Sequence, residues 1–241
     1  MKQKTKPEAR SQKPEWCRKT VFILASGFWL LASSFSAQTT YTLEQVFAKM
    51  DQVAKGFRST QADIERTKVT LIVNDKDVAH GKIYYVRRGK EPRLKIQLSE
   101  PMTQYLLIDK GKLQLYTPNL KQVQEASLGG HSNTVEQFMA LGFGQSSEDL
   151  KKNYQVSLAG EETVDGKKTA VLELIPKNAG MGIKNVRMWM DEQTGISVQV
   201  KATETSGDYT MFRYTNIKLN GNIADSTFDL KMPKDVRVLK M

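Results

Sequence analysis

Cysteine is almost absent from this sequence: Cys17 is the only one in 241 residues. It precedes the apolar stretch of residues 21–35 instead of following it, so it is no lipoprotein acylation site. The chain beyond it has nothing from which to make a disulfide and must gain its stability from packing. Histidine is nearly as scarce, with His80 and His131 alone. His80 opens a strand-like stretch, where a surface imidazole is the plain reading. His131 stands in "GGHSN", which lacks the strand, sharp turn and helix of a hydrolase elbow. No pair of His, Cys or carboxylate residues has metal-ligand spacing, and "GFG" and "GMG" lack the lysine and setting of a phosphate loop. No catalytic residue, metal or cofactor is assigned, and the chain does not read as an enzyme.

Missing too is an apolar run long enough to span a membrane. "VFILASGFWLLASSF" is shorter than the ~20 residues a spanning helix needs. Ahead of it, residues 1–19 carry seven basic side chains against Glu8 and Glu15, and behind it come small residues. Basic, then apolar, then small is the pattern of a secretory signal. The expected organisation is a cleaved signal peptide over residues 1–37, cut after Ser36 or Ala37, and a single periplasmic domain over residues 38–241. Removing seven of the 36 basic and two of the 26 acidic residues leaves 29 and 24, so the net charge falls from +10 to +5. Much of the apparent affinity for nucleic acid goes with the leader. The remaining strand cations Lys82, Arg87, Arg88, Arg93 and Lys95 have no aromatic ladder between them for stacking bases, and no nucleic-acid partner is expected.

What is present has two periods. In "YTLEQVFAKMDQVAKGF", Leu43, Val46, Phe47, Met50, Val53, Ala54 and Phe57 recur at helical spacing behind a capping Thr42. From Ile64 the period is two, through "DIERTKVTLIV", "GKIYYVRRG", "RLKIQLS", "QYLLID", "KLQLYTP" and "KQVQEA". A glycine-rich interruption over residues 127–153 holds a short helical pattern, Val135, Phe138 and Met139, and a capped helix start at Ser146 or Ser147. Strands then resume in "YQVSLAGEE", "KTAVLELIP", "KNVRMWMD", "ISVQVKATET", "DYTMFRYTNIKLN" and "DVRVLKM".

About ten to twelve strands joined by short turns predict a mainly β fold with helices (α+β), an incomplete, strongly curved antiparallel β-barrel whose inner face the helices cover as lid or plug. The inward alternates are Leu94, Ile96 and Leu98, then Leu106 and Ile108, Leu113 and Leu115, and further on Met188, Met190 and Met211. With Phe138 and Met139 of the interruption they are candidates to line a hydrophobic acyl cavity, since concave apolar space is what ligand sites use. Methionine suits a cavity that must repack around its contents. A plain core satisfies the same periodicity.

The order "GKIYYVRRG", "PRLKIQL", "YLLIDKGKLQLYTPNLKQV" over residues 81–123 resembles the LolA family of periplasmic lipoprotein carriers. There a glycine-led strand ends in a basic pair, an arginine-bearing strand and a proline follow, and a strand, turn and strand close the motif. Lys110 is inserted between Asp109 and Gly111, Gln114 stands where an aromatic is common, and Gly89 stands where a proline usually follows the pair. "LELIPKN" and "VRMWMDEQTGISVQV" continue the family's order in the second half. The resemblance implies a helical lid over a hydrophobic cavity that shields lipoprotein acyl chains during transport. The implied partners are acylated lipoproteins, an inner-membrane lipoprotein-releasing ABC transporter and an outer-membrane lipoprotein acceptor, served by a monomeric chaperone. It also implies that an arginine of the basic pair latches the lid: Arg88 by position, Arg87 as the fallback. The same fold used as a lipid-binding sensor, or as a dedicated carrier of another lipid-like ligand, is the alternative.

If the leader is removed as expected, the intact mass of the exported protein begins near Ala37 or Gln38 and includes no acyl group. Retention of Cys17, or an added acyl mass, overturns this.

Overall fold

A computed structural model of the chain describes residues 41–87, 92–128, 141, 143–178 and 182–240, which belong to one compact unit, Thr39–Met241. Helix α1, Leu43–Gly56, starts at a capping box: Gln45 N donates to Thr42 Oγ1 at 3.3 Å and Thr42 N to Gln45 Oε1 at 2.8 Å. Helix α2, Ser147–Asn153, is capped by Ser146, whose Oγ accepts from Asp149 N at 3.1 Å.

Twelve strands follow the sequence alternation: β1 Ser59–Thr70, β2 Asp75–Val86, β3 Arg93–Glu100, β4 Gln104–Asp109, β5 Lys112–Thr117, β6 Gln122–Ser127, β7 Tyr154–Val164, β8 Lys167–Pro176, β9 Ile183–Asp191, β10 Ser197–Glu204, β11 Tyr209–Leu219 and β12 Arg237–Lys240. They form one curved sheet in the order β12-β6-β5-β4-β3-β2-β1-β11-β10-β9-β8-β7. It is an open barrel, because β7 and β12 remain as edges. Residues paired across neighbouring strands share a face. Ile83 opposite Ile96, Leu94 opposite Ile108 and Ile108 opposite Leu113 therefore make one continuous inner wall. Val46, Phe47 and Met50 of α1 and Leu150 of α2 pack on that wall in a single core. Gly81, which leads the motif strand, sits where a Cβ would lie 1.8 Å from the Gln97 carbonyl oxygen, so β2 and β3 approach closely only with glycine there.

Two features differ from the sequence expectation. Leu71–Val73, read as the end of a strand, forms a single 3₁₀ turn at the tip of the β1–β2 hairpin, because Asn74 takes a left-handed φ of 50° and reverses the chain. The sheet is also not antiparallel throughout, since β12 pairs with β6 in parallel. To reach β6, the chain after β11 crosses the outer face of the sheet as a strap. Ile223 and Phe228 of the strap pack with Val86 and Leu107 in a second, smaller core. Arg93 faces outward and fastens the strap: it pairs with Asp109 at 2.9 Å and Asp225 at 3.3 Å, and its guanidinium lies 4.4 Å from the Phe228 ring centre. Lys95 is 8% exposed, and its Nζ donates to the carbonyls of Thr227 (2.6 Å) and Asp229 (3.2 Å). Burial pulls the Lys95 pKa below the usual lysine value.

Phe228→Ala should lower unfolding stability by about 3 kcal/mol in a denaturant titration, because it removes the large buried ring on which the strap rests. A change under about 1 kcal/mol would mean that the strap is held by its polar contacts alone.

Candidate functional site

The inner wall is where the sequence-predicted site residues gather. Leu94, Ile96, Leu98, Ile108, Met188 and Met190 are buried in the main core. Leu106 and Leu113 are half-buried against it, and Leu115, paired with Leu106, shares their face. The β4–β5 part of the wall is thus less covered than the part under α1. In the conformation described, these side chains are packed as core. Grooves that open on the outer face are of another character: one of about 590 Å³ is lined by Asp63, Glu65, His80, Lys82 and Arg213, and one of about 450 Å³ by Tyr84, Tyr105 and Tyr116 beside the strap.

Met211 points the other way. It pairs with Thr67 and Lys201 on the outer face, while its neighbour Phe212 packs on the core. Both residues are apolar, so alternation alone leaves the phase of this strand open; the pairing of Tyr214 with Ile64 fixes it. Arg88, Phe138 and Met139 lie outside the described residues.

Polar contacts tie the parts of the cover to one another and to the sheet. Asp51 of α1 accepts from Ser147 of α2 twice, from the backbone N at 2.6 Å and from Oγ at 2.8 Å. Arg87, at the end of β2, donates from Nη2 to the carbonyl oxygen of Gly144 at 2.5 Å, and its guanidinium lies 5.3 Å from the Phe57 ring centre. Phe57 in turn stacks on Tyr85 at 5.8 Å. Gly144 has a φ of +64°, and a Cβ there would come within 2.1 Å of the Phe57 ring. Next to it, Phe143 is fully buried and meets Tyr214 edge-on at 4.7 Å. Burial raises the Tyr214 pKa far above the usual phenol value, so its hydroxyl stays protonated.

Asp51, Phe57, Phe143 and Gly144 are not singled out as site residues by the sequence. Gly144 carries a visible signal, the second glycine of "GFG", but a glycine pair without a partner says nothing about an aromatic ring 87 residues away in the chain. From the middle of α1, Lys49 Nζ donates to the carbonyls of Glu192 and, at 3.3 Å, Gln193, and Tyr41, just ahead of the helix, donates from Oη to Glu192 O at 3.0 Å. These contacts hold the helix under the β9–β10 turn. Among the described residues no three His, Cys, Asp or Glu side chains converge as metal ligands do.

The family described as outer membrane lipoprotein carrier protein LolA matches residues 58–231. The chain belongs to the LolA family. The matched span takes in β1 through β11 and the Arg87–Gly144 contact, and leaves out α1 and β12. An outer-membrane lipoprotein carrier protein of Legionella pneumophila (strain Corby) is 26% identical over 199 residues, covering 76% of this chain and 92% of that one. One from Chromohalobacter salexigens is 25% identical over 162 residues, covering 67% and 71%. In three dimensions the chain is similar to an uncharacterized conserved protein from Thermus thermophilus, with a TM-score of 0.51 at 10% identity over 82% of this chain and 98% of that one. That likeness shows that the two chains share a fold.

Gly144→Ala should displace the segment that Arg87 touches, because its methyl group has nowhere to go but into Phe57. Amide hydrogen exchange at residues 143–150 should rise at least about tenfold while β9 and β10 keep their protection. Unchanged exchange in that segment would show that the cover is not held at Gly144.

Proposed function

We propose that this protein is a periplasmic, non-catalytic chaperone that takes the acyl chains of lipoproteins against its inner wall and carries them from the inner to the outer membrane. A lipoprotein-releasing ABC transporter would load it and an outer-membrane acceptor would relieve it. Family membership and relatives named as outer-membrane lipoprotein carrier proteins support the reading. The observation that carries it is the pairing of an aliphatic wall, Leu94, Ile96, Leu98, Leu106, Ile108, Leu113 and Leu115, with a cover fastened to the sheet through the Arg87 side chain.

The chemistry fits the task. Each buried methylene is worth ~0.8 kcal/mol, so free acyl chains in water go into the nearest membrane or aggregate. A carrier has to bury them without trapping them. When α1, α2 and residues 143–146 swing away, the wall is exposed to an acyl chain; when they return, they compete for the same apolar surface and help to expel it. The Arg87 bond to Gly144 biases that equilibrium towards the closed state. A hydrogen bond from a charged donor contributes ~1.5 to 3 kcal/mol, which shifts the balance about tenfold to a hundredfold. In this reading the basic pair is the latch, with Arg87 the member whose side chain reaches the cover and Arg88 beside it in sequence.

An environment-sensitive hydrophobic dye should bind the protein and be displaced by a triacylated peptide but not by the same peptide without its acyl chains. Arg87→Leu should accept acylated peptide more readily, about tenfold or more, and pass it to acceptor vesicles more slowly than the parent. Equal competition by both peptides defeats the carrier reading. Onward transfer by Arg87→Leu as fast as by the parent removes Arg87 from the latch.

A further inference from the structure

Large apolar side chains exposed to solvent are concentrated at one end of the strands. Among the described residues eight are exposed, and five of them sit on three hairpin turns: Leu71 (55%), Ile72 (92%) and Val73 (68%) between β1 and β2, Met102 (40%) between β3 and β4, and Leu120 (64%) between β5 and β6. These three hairpins are successive neighbours in the sheet, so their tips follow one another along its rim at steps of two strands, ~10 Å. Among the described residues, the turns at the opposite end carry Lys110 and Gly111, Asp165 and Gly166, and Gln193 and Thr194. An end-to-end contrast of this kind is not explained by scattered surface apolar residues.

The Leu71–Val73 turn is held in place. Leu71 N donates to Asp208 Oδ1 at 2.8 Å, and the Leu71 side chain lies against Gly207 of the neighbouring β10–β11 turn. Ile72 and Val73 therefore project from a fixed base. Lys68 and Lys76, exposed on the two strands behind the tip, are in no ion pair among the described residues.

We propose that this rim is a docking edge for the surface of a lipid bilayer, with Ile72 as the leading side chain. A protein partner would need a continuous complementary patch of roughly 800 Å² per side. The rim offers separate convex tips instead, and the grooves described above are lined by none of these five residues. A bilayer accepts isolated apolar tips in any arrangement that shares a plane, and its headgroup phosphates suit Lys68 and Lys76. The proposal goes beyond the carrier reading and does not need it: the tips lie at the other end of the strands from the Arg87–Gly144 contact.

The test uses residues 39–241, which hold the whole sheet and its core, floated with vesicles of phosphatidylethanolamine and phosphatidylglycerol. The parent should float, and Ile72→Asp should reduce the partition coefficient about tenfold or more. Gln193→Asp, at the polar end, should float like the parent. In Ile72→Trp the new indole's emission should shift to the blue when vesicles are added, against the constant background of buried Trp189. Failure of the parent to float, or equal flotation of Ile72→Asp, overturns the proposal. So does a tip-dependent change in sedimentation without flotation, which would assign the rim to a second copy of the chain. Binding of triacylated peptide by Ile72→Asp is measured separately and should equal the parent's, so a failed carrier reading leaves the flotation result standing.

Discussion

Twelve strands put their aliphatic side chains on one face, and with β7 and β12 left as edges that face has only helices and loop to cover it. A closed barrel hides its interior with its own wall, whereas an open one depends on a separate cover. Here the cover includes a 14-residue helix, a 7-residue helix and residues 143–146. Among the described residues its attachment is concentrated. Phe57, Gly144 and Arg87 meet at one end of α1, Lys49 and Tyr41 hold its middle and its start, and Asp51 ties α1 to α2. The buried contacts of Val46, Phe47, Met50 and Leu150 with the wall are apolar and can re-form against any apolar surface of similar shape.

The two faces of the sheet are fastened by different chemistry. On the outer face the strap is pinned by a buried phenyl ring, by the forked guanidinium of Arg93 over it, and by the ammonium of Lys95 beneath its carbonyls. Releasing it would strand a nearly buried lysine and open a core. On the inner face the cover is held by side chains that bond carbonyls at its margins, among them Arg87, Lys49 and Tyr41, and these groups rehydrate at little cost when the bonds break. One face is built to stay covered and the other to be uncovered.

Much of this was legible in the sequence, and the reasons differ from element to element. Thr42 and Ser146 announced their helices because capping is local chemistry. In the wall from Leu94 to Leu115, β3 alternates cleanly so that a single phase satisfies it, whereas β4, with four apolar residues in a row, has its phase fixed by the pairing of Leu106 with Ile96 and Leu115. Met211 and Phe212 are adjacent and both apolar, which leaves the phase to pairing partners far away in sequence. Leu71–Val73 read as strand because three apolar residues in a row satisfy any period; only Asn74 behind them marks the turn. The strap and the Gly144–Phe57 fit were hidden for another reason: each depends on contacts between residues remote in the chain, and neither leaves a periodic trace.

The pairing of β1 with β11 sets the order in which the molecule comes into being. Thr60 pairs across to Leu219, so the strand that begins the sheet waits for nearly the whole chain before its second neighbour exists. Until then the β2–β5 hairpins carry their aliphatic side chains with no opposite half to close on them. Distant pairings of this kind form later than the hairpins beside them and leave sticky intermediates exposed in the meantime. A chain that crosses a membrane unfolded and N-terminus first would therefore spend its translocation as a run of half-finished hairpins, exposed to holdase chaperones on the far side. The four-residue β12, laid beside β6, can complete that edge only after the strap that precedes it has been made.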